Sequence, residues 1–221
     1  MINKDYIMRI VERLGRALAR ILYMRQANQN EEALIYIDDL FMRTLGIGSG
    51  FINSVSDEML LAMISPLGAF NIEKCLFIAA LLKVEADIYE DWDNSNESYH
   101  RYLKSLHLFL EAALREGDLT LAEPDVTVSS EIEDIVKKLD AYELPPKTKS
   151  KLFQYYEKMG KYSQAEDALF EMIEAEDAGE GIVEQGIAFY TRLQQKSDAE
   201  LLAGNLPREE VAEGLAHLKA R

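Results

Sequence analysis

The feature that most constrains this chain is a helical spacing of apolar residues that recurs along almost its whole length. In the first segment the apolar positions are Ile7, Ile10, Leu14, Ala17 and Ile21. Steps of three and four residues place such side chains on one face of an α-helix. The pattern returns in segment after segment, and we find no convincing strand pattern. The sequence therefore predicts an all-α fold.

Capping residues and helix breakers divide the chain. Ser56 and Asn71 each precede an apolar helical segment, and both residue types accept hydrogen bonds from the first turn of a helix. The segment 118–130 contains a proline and β-favouring residues, so it is interpreted as a linker that could hold a short extended piece. We expect an N-terminal helical region over residues 1–117 and helical hairpins over 131–221.

The charge of the chain limits its partners. The net charge is −15, but residues 1–25 hold six basic residues against Asp5 and Glu12, a balance of +4 that leaves −19 in the remaining 196 residues. Phosphate binding depends on clustered Lys and Arg, so nucleic acid is not expected as a partner. No apolar run reaches the length of a membrane span. The single cysteine, Cys75, suits a reducing compartment, and a cytoplasmic location is predicted.

Four arginines line one side of the first helix. They are Arg9, Arg13, Arg16 and Arg20, spaced 4-3-4. One interpretation is a solvated face that packs near the protein's own acidic helices. The other is a docking stripe for an acidic partner, for a second copy of the chain in a homodimer, or for anionic lipid. Lipid is disfavoured, because the acidic remainder of the chain would be repelled, and no membrane association is predicted.

A repeated pattern marks the C-terminal half. Tyr156 lies 34 residues before Tyr190, Ala165 lies 34 residues before Ala199, and each tyrosine precedes its alanine by nine. A small residue on one helix lets its neighbour approach closely, and an aromatic ring fills the space beside it. Gly160 falls where a tight turn between two helices is needed.

This pattern, read from "YYEKMGKYSQAEDALFEMI" (155–173) onward, resembles the tetratricopeptide repeat family. Similar but less complete spacings start at Met24 and Tyr89. The resemblance implies an array of antiparallel helical hairpins wound into a right-handed superhelix, with a C-terminal array over 131–221. The chain departs from the family in lacking its helix-A tryptophan and its closing proline. The opening "MINKDYIMR" also looks like a bacterial family of uncharacterised cytosolic proteins.

The resemblance also implies a function, which is a non-catalytic scaffold that binds a protein or peptide on the exposed positions of its A helices. Those positions are Gln154, Glu157, Lys158, Glu184, Thr191 and Arg192. Three alternatives remain open. The tyrosines and alanines could pack in ordinary antiparallel helices, the chain could be a peptide-responsive regulator, or it could be a helical-bundle enzyme with an internal carboxylate site.

Catalytic and metal-binding motifs are not recognisable. The turn "DWDNSNESYHRY" (91–102) has oxygen-bearing residues at the first four ligand positions of a calcium loop, but Tyr102 replaces the essential bidentate Glu. The three histidines form no zinc-binding pair. The loop "GIGSG" (46–50) lacks the strand and the Lys-Ser or Lys-Thr of a phosphate loop. We therefore expect no cofactor, no metal and no enzymatic activity.

Overall fold

A computed structural model of the chain describes residues 4–65, 68–122, 126–175 and 181–220, with side chains from residue 12 onward except at Ala122. Within these ranges the protein has twelve α-helices and one small β-hairpin, which confirms the all-α prediction. The chain divides into an N-terminal unit, Met1–Glu143, and a C-terminal unit, Leu144–Arg221. None of the described helices is long and apolar enough to cross a membrane.

The N-terminal unit is built around one buried helical hairpin. Its helices are α1 (Lys4–Gln26), α2 (Asn30–Leu45), α3 (Ser49–Ser54), α4 (Asp57–Ile64), α5 (Ile72–Asp91), α6 (Ser95–Glu116) and α7 (Val128–Lys138). Helix α5 is buried on all sides from Cys75 to Leu82, because its sequence there is apolar all round. Helix α6 lies along it, and the Ser105 hydroxyl donates to the Ala79 carbonyl at 2.7 Å.

The predicted caps are confirmed. Ser56 Oγ accepts from the Met59 amide at 3.2 Å, and Asn71 Oδ1 accepts from the Lys74 amide at 3.0 Å. The glycine-rich segment 46–50 ends α2 at Gly46, which has a φ of +77°. It is not all loop, however, because α3 begins within it at Ser49. The Ser49 amide donates to Asp38 Oδ1 at 2.7 Å, which fixes this start.

The segment 118–130 contributes structure to the N-terminal unit. It holds the antiparallel strands β1 (Thr120–Ala122) and β2 (Val126–Thr127) and the first turn of α7. Leu121 is buried, and β1 packs against α1. The two compact units divide after Glu143. The sequence predicts this division earlier, within 118–130. The β-favouring residues on which the linker interpretation rests form the two paired strands, β1 and β2.

The C-terminal unit consists of shorter amphipathic helices. They are α8 (Pro146–Lys158), α9 (Tyr162–Glu174), α10 (Ile182–Leu193), α11 (Asp198–Ala203) and α12 (Arg208–Lys219). Helices α8 and α9 form a hairpin whose turn contains Gly160 in the left-handed region, as predicted. Helix α10 pairs mainly with α12, because α11 ends after six residues at Gly204 and Asn205 has a φ of +55°.

The small residue that accommodates Tyr190 differs from the one the repeat spacing predicted. Ala165 is fully buried, but Ala199 on α11 is exposed. The close approach in the second pair of helices occurs instead at Gly214 on α12. A Cβ atom at Gly214 would lie 2.3 Å from Cζ of Tyr190, so only glycine fits there without a shift. Because α11 ends early, the small residue that packs against Tyr190 comes from α12 and not from α11.

Candidate functional site

A groove of about 550 Å³ opens on the C-terminal unit. It lies beside the ends of α8 and α10 and the start of α9, so its walls come from both halves of the repeated sequence. Four of the six side chains predicted from the repeat line it together: Gln154, Glu157, Lys158 and Arg192. Its size is in the range of pockets that hold small ligands or a few side chains of a peptide.

An ion pair joins the two sides of this groove. The Arg192 guanidinium on α10 donates to both carboxylate oxygens of Glu157 on α8, at 2.6 Å and 2.8 Å. A two-point contact of this kind holds both side chains in a fixed orientation. Glu157 and Arg192 are therefore positioned to face a ligand as a preformed polar pair.

The other two predicted residues lie outside the groove lining. Glu184 is exposed in the first turn of α10. Thr191 is also exposed, and its hydroxyl donates to the Ile187 carbonyl of its own helix at 2.7 Å. Sequence reasoning missed several lining residues at the helix ends, namely Met159, Gly160, Tyr162, Leu193 and Lys196. The signal for them was the inter-helix turn at Gly160, which brings the end of α8 and the start of α9 together.

The arginine stripe of α1 is partly occupied by intramolecular contacts. Arg13 pairs with Glu73 at 3.3 Å, donates to Thr44 Oγ1 at 3.2 Å and lies over the Phe77 ring. Arg20 lies over the Tyr36 ring, with its guanidinium carbon 4.2 Å from the ring centroid.

No such contact is shown for Arg16 among the described residues. Arg16 is exposed to solvent. The Arg9 side chain lies outside the described residues. The contacts of Arg13 and Arg20 are those expected of a face that packs on the protein's own helices, and they leave less of the stripe open to a partner.

Among the residues that the structure describes, the most buried charges lie in the N-terminal unit. Glu85 on α5 accepts from the Ser49 hydroxyl and lies 3.2 Å from Nε of Arg101 on α6. Burial raises the pKa of Glu85 above its ordinary value, although Arg101 and Ser49 oppose that change. The Arg101 guanidinium also pairs with Glu97 and lies over the Tyr89 ring. These contacts tie α3, α5 and α6 together.

The chemistry available to Cys75 is limited by its surroundings. The thiol is fully buried and donates to the Leu108 carbonyl at 3.3 Å. Burial, together with the negative charge of Glu111, raises the pKa of this thiol. A neutral, inaccessible thiol is a poor nucleophile and a poor metal ligand. Cys75 therefore acts as a core residue.

The turn that resembled a calcium loop is a helix-capping turn. Asn94 Oδ1 accepts from the Glu97 amide and caps α6. Asp91, the first residue of the loop pattern, is paired with Arg25 at 2.8 Å. Among the side chains that the structure describes, no group of three or more His, Cys, Asp or Glu is arranged to hold a metal ion.

The fold and the groove define a class: an all-α protein in two compact units, with a polar, concave surface on the C-terminal one. The family model of DUF6483, a family of unknown function, matches residues 1–221, and the chain belongs to this family. The resemblance of the sequence to an uncharacterised family is thereby confirmed. Comparison with curated proteins and with solved structures finds none that matches the chain.

Proposed function

We propose that this protein is a non-catalytic, cytoplasmic binding protein that holds a protein or peptide segment in the groove of its C-terminal unit. The observation that carries the proposal is the groove itself, which has a volume of about 550 Å³. Its lining includes Gln154, Glu157, Lys158 and Arg192. These residues were selected from the sequence as exposed positions of repeated helices. Their convergence on one concave surface supports a shared role.

The packing of α10 supports a tetratricopeptide-like arrangement of the C-terminal helices. Helix α10 contacts α8 through the rings of Phe153 and Phe189, whose centroids lie 5.3 Å apart at 68°. It reaches α9 through Tyr190, whose hydroxyl donates to Glu166 Oε1 at 2.5 Å. In helical repeats each new helix packs against both helices of the preceding hairpin and extends one surface. We infer the beginning of a right-handed superhelix of this kind.

A peptide fits the groove better than a reacting substrate does. The lining side chains are a preformed ion pair, lysines, an amide and a few apolar groups, which suit hydrogen bonding along an extended segment. A binding role without catalysis is also supported by the buried, neutral state of Cys75. The groove lining holds three basic side chains, Lys158, Arg192 and Lys196, against the single carboxylate of Glu157, and this positive balance favours a segment that carries an acidic side chain, although Lys196 also pairs with Glu200.

The proposal is tested by peptide-display selection on the intact chain, followed by fluorescence anisotropy with the selected peptides. The key variant exchanges the groove pair, Glu157→Lys with Arg192→Glu. Because the two residues bond each other, the exchange keeps an ion pair and reverses its polarity, with a lysine ammonium in place of the guanidinium. We expect peptide affinity to fall by about tenfold or more, with an unchanged unfolding midpoint.

A matched exchange in the same unit serves as the control. Lys149 on α8 pairs with Glu171 on α9 at 3.3 Å, and neither lines the groove. Lys149→Glu with Glu171→Lys should leave peptide affinity at the wild-type value. Equal binding by the wild type and the Glu157/Arg192 exchange would show that the groove is not the binding surface. A selection that yields no peptide would count against the proposed function as a whole.

A further inference from the structure

A second concave site lies in the N-terminal unit, where the turn between α5 and α6 is close to the end of α7. Its volume is about 300 Å³. Its walls combine three tyrosine rings with two carboxylates and one amine: Tyr99, Tyr102, Tyr142, Glu90, Asp93 and Lys138. This combination differs from the amide and ion-pair chemistry of the C-terminal groove.

The tyrosine rings are held in fixed positions. Tyr102 is buried, and its single hydroxyl proton is shared between Asp87 Oδ1, at 2.6 Å, and Glu90 Oε2, at 3.0 Å. Tyr99 and Tyr142 pack together with centroids 4.8 Å apart, and the Tyr99 hydroxyl donates to the Glu143 carbonyl at 3.3 Å. The face of an aromatic ring carries negative electrostatic potential and attracts cations. Tyr142 is exposed and Tyr99 is partly exposed, so these two preordered rings favour a cationic guest.

The two carboxylates of the pocket, Glu90 and Asp93, differ in whether other side chains bond them. Glu90 Oε2 accepts from Tyr102 and also pairs with Lys138. Asp93 has no ion pair or hydrogen bond to its carboxylate among the residues that the structure describes, and its φ of +54° is in the left-handed region that Asp tolerates. The pocket therefore retains one uncompensated negative charge, at Asp93.

We propose that this pocket binds a small organic cation, with a quaternary ammonium group as the best-fitting head group. A primary ammonium gains most where several hydrogen-bond acceptors surround it, and of the two carboxylates here only Asp93 is unengaged, because Glu90 already bonds Tyr102 and Lys138. A quaternary ammonium needs none and gains from ring faces and from the Asp93 charge. The Tyr102 ring already lies 5.8 Å from the Lys138 amine, so the guest contacts the rings of Tyr99 and Tyr142 instead.

The test is titration of the intact chain with choline chloride and, in parallel, with 3,3-dimethylbutan-1-ol, which has the same shape but no charge. Trp92, the one tryptophan in the sequence, directly precedes Asp93 and is exposed, so we expect its fluorescence to change when the site is occupied. Isothermal titration calorimetry supplies the affinity. We expect saturable binding of choline and at least about tenfold weaker binding of the neutral alcohol.

Two variants localise the binding to this pocket. Asp93→Asn removes the free charge and keeps the shape and the tolerance of a positive φ, and Tyr142→Leu removes an exposed ring. Each should weaken choline binding by about threefold to tenfold, because each removes one favourable electrostatic contact. Asp167→Asn and Tyr23→Leu make the same chemical changes at exposed positions elsewhere, and both should bind choline as the wild type does.

The proposal fails on any of three results. These are the absence of saturable choline binding, equal affinity for choline and the neutral alcohol, and wild-type affinity in both Asp93→Asn and Tyr142→Leu. Circular dichroism of each variant verifies that the fold is retained. Because the peptide groove lies in the other unit, a failure here leaves the proposed peptide-binding function unaffected.

Discussion

The two units of this protein are stabilised in different ways. The N-terminal unit encloses α5 on all sides from Cys75 to Leu82, and the polar groups Glu85 on α5 and Arg101 on α6 are also buried, where they form an ion pair. The helices of the C-terminal unit are shorter, and close contacts occur at Gly186, Gly204 and Gly214. At these glycines, aromatic or leucine side chains occupy the space that a Cβ atom would take.

This difference determines what each unit tolerates. A buried ion pair is costly to break, because the partner left behind keeps its charge in a medium of low polarity. A close helix contact at glycine is costly to fill, because the surrounding side chains must move from their packed positions. The N-terminal unit should thus be most sensitive to loss of charge, and the C-terminal unit to gain of volume.

The largest effect is expected from Arg101→Met, which leaves Glu85 buried without its cation. The free energy of unfolding should fall by about 3–5 kcal/mol at pH 7. Burial already raises the pKa of Glu85, so folding shifts this group toward its neutral form relative to the unfolded chain, and its contribution to stability is lost as the pH rises. Removing the cation of Arg101 should raise this pKa further, so the stability lost in the variant should shrink as the pH falls below 7. Urea unfolding followed by Trp92 fluorescence measures it.

A double variant sharpens this prediction. Glu85→Gln with Arg101→Met removes both charges, so most of the stability lost in the single variant should return, and its dependence on pH should disappear. If the single variant is as stable as the wild type at pH 7, the buried pair does not stabilise the N-terminal unit and the comparison between the units is wrong.

The next effect is expected from Gly214→Ala in the C-terminal unit. The added methyl group would lie 2.3 Å from Cζ of the fully buried Tyr190, so we expect a loss of about 2 kcal/mol from overpacking. Gly15→Ala on α1 is the matched control, since a Cβ atom there meets nothing within 4 Å. It should stabilise the protein by up to about 1 kcal/mol, because alanine favours the helix. Thermal unfolding followed by circular dichroism distinguishes the two.

A smaller effect separates two arginines of the stripe on α1. Arg13→Ala loses contacts to Glu73, Thr44 and the Phe77 ring and should cost about 1 kcal/mol. Arg16→Ala removes an exposed side chain and should change stability by less than about 0.5 kcal/mol. Chemical denaturation of both variants measures these values. Equal losses would show that Arg16 also packs on the protein.

The smallest effect concerns Glu166 on α9. Burial, and then the nearby charges of Glu210 and Asp167, raise the pKa of Glu166 above its ordinary value of 4.5, so its ionisation disfavours the folded state as the pH rises. Glu166→Gln should therefore gain about 0.5 kcal/mol at pH 8, a value reduced by solvent screening of a half-buried group. The gain should vanish at pH 4. A stability profile from pH 4 to pH 8 that shows a constant difference would contradict this.

Much of the local structure could be predicted from the sequence. The helix faces, the caps at Ser56 and Asn71, and the turn at Gly160 follow from spacing and from residue chemistry within a few positions of each other. The groove was predicted in part, since Gln154, Glu157, Lys158 and Arg192 line it while Glu184 and Thr191 do not. Which exposed positions share a concavity depends on how neighbouring helices cross, and that is not encoded in one helix's periodicity.

By itself, the sequence determined that the chain is helical, where most of its helices begin, and that its charge is concentrated unevenly, because these properties depend on residues close together in the chain. Only the tertiary structure decided three things. It paired Tyr190 with Gly214, whereas the spacing predicts Ala199. It placed Arg101 beside Glu85, and it brought together the three tyrosines of the N-terminal pocket. All three depend on contacts between distant segments, whose geometry is set by the packing of whole helices.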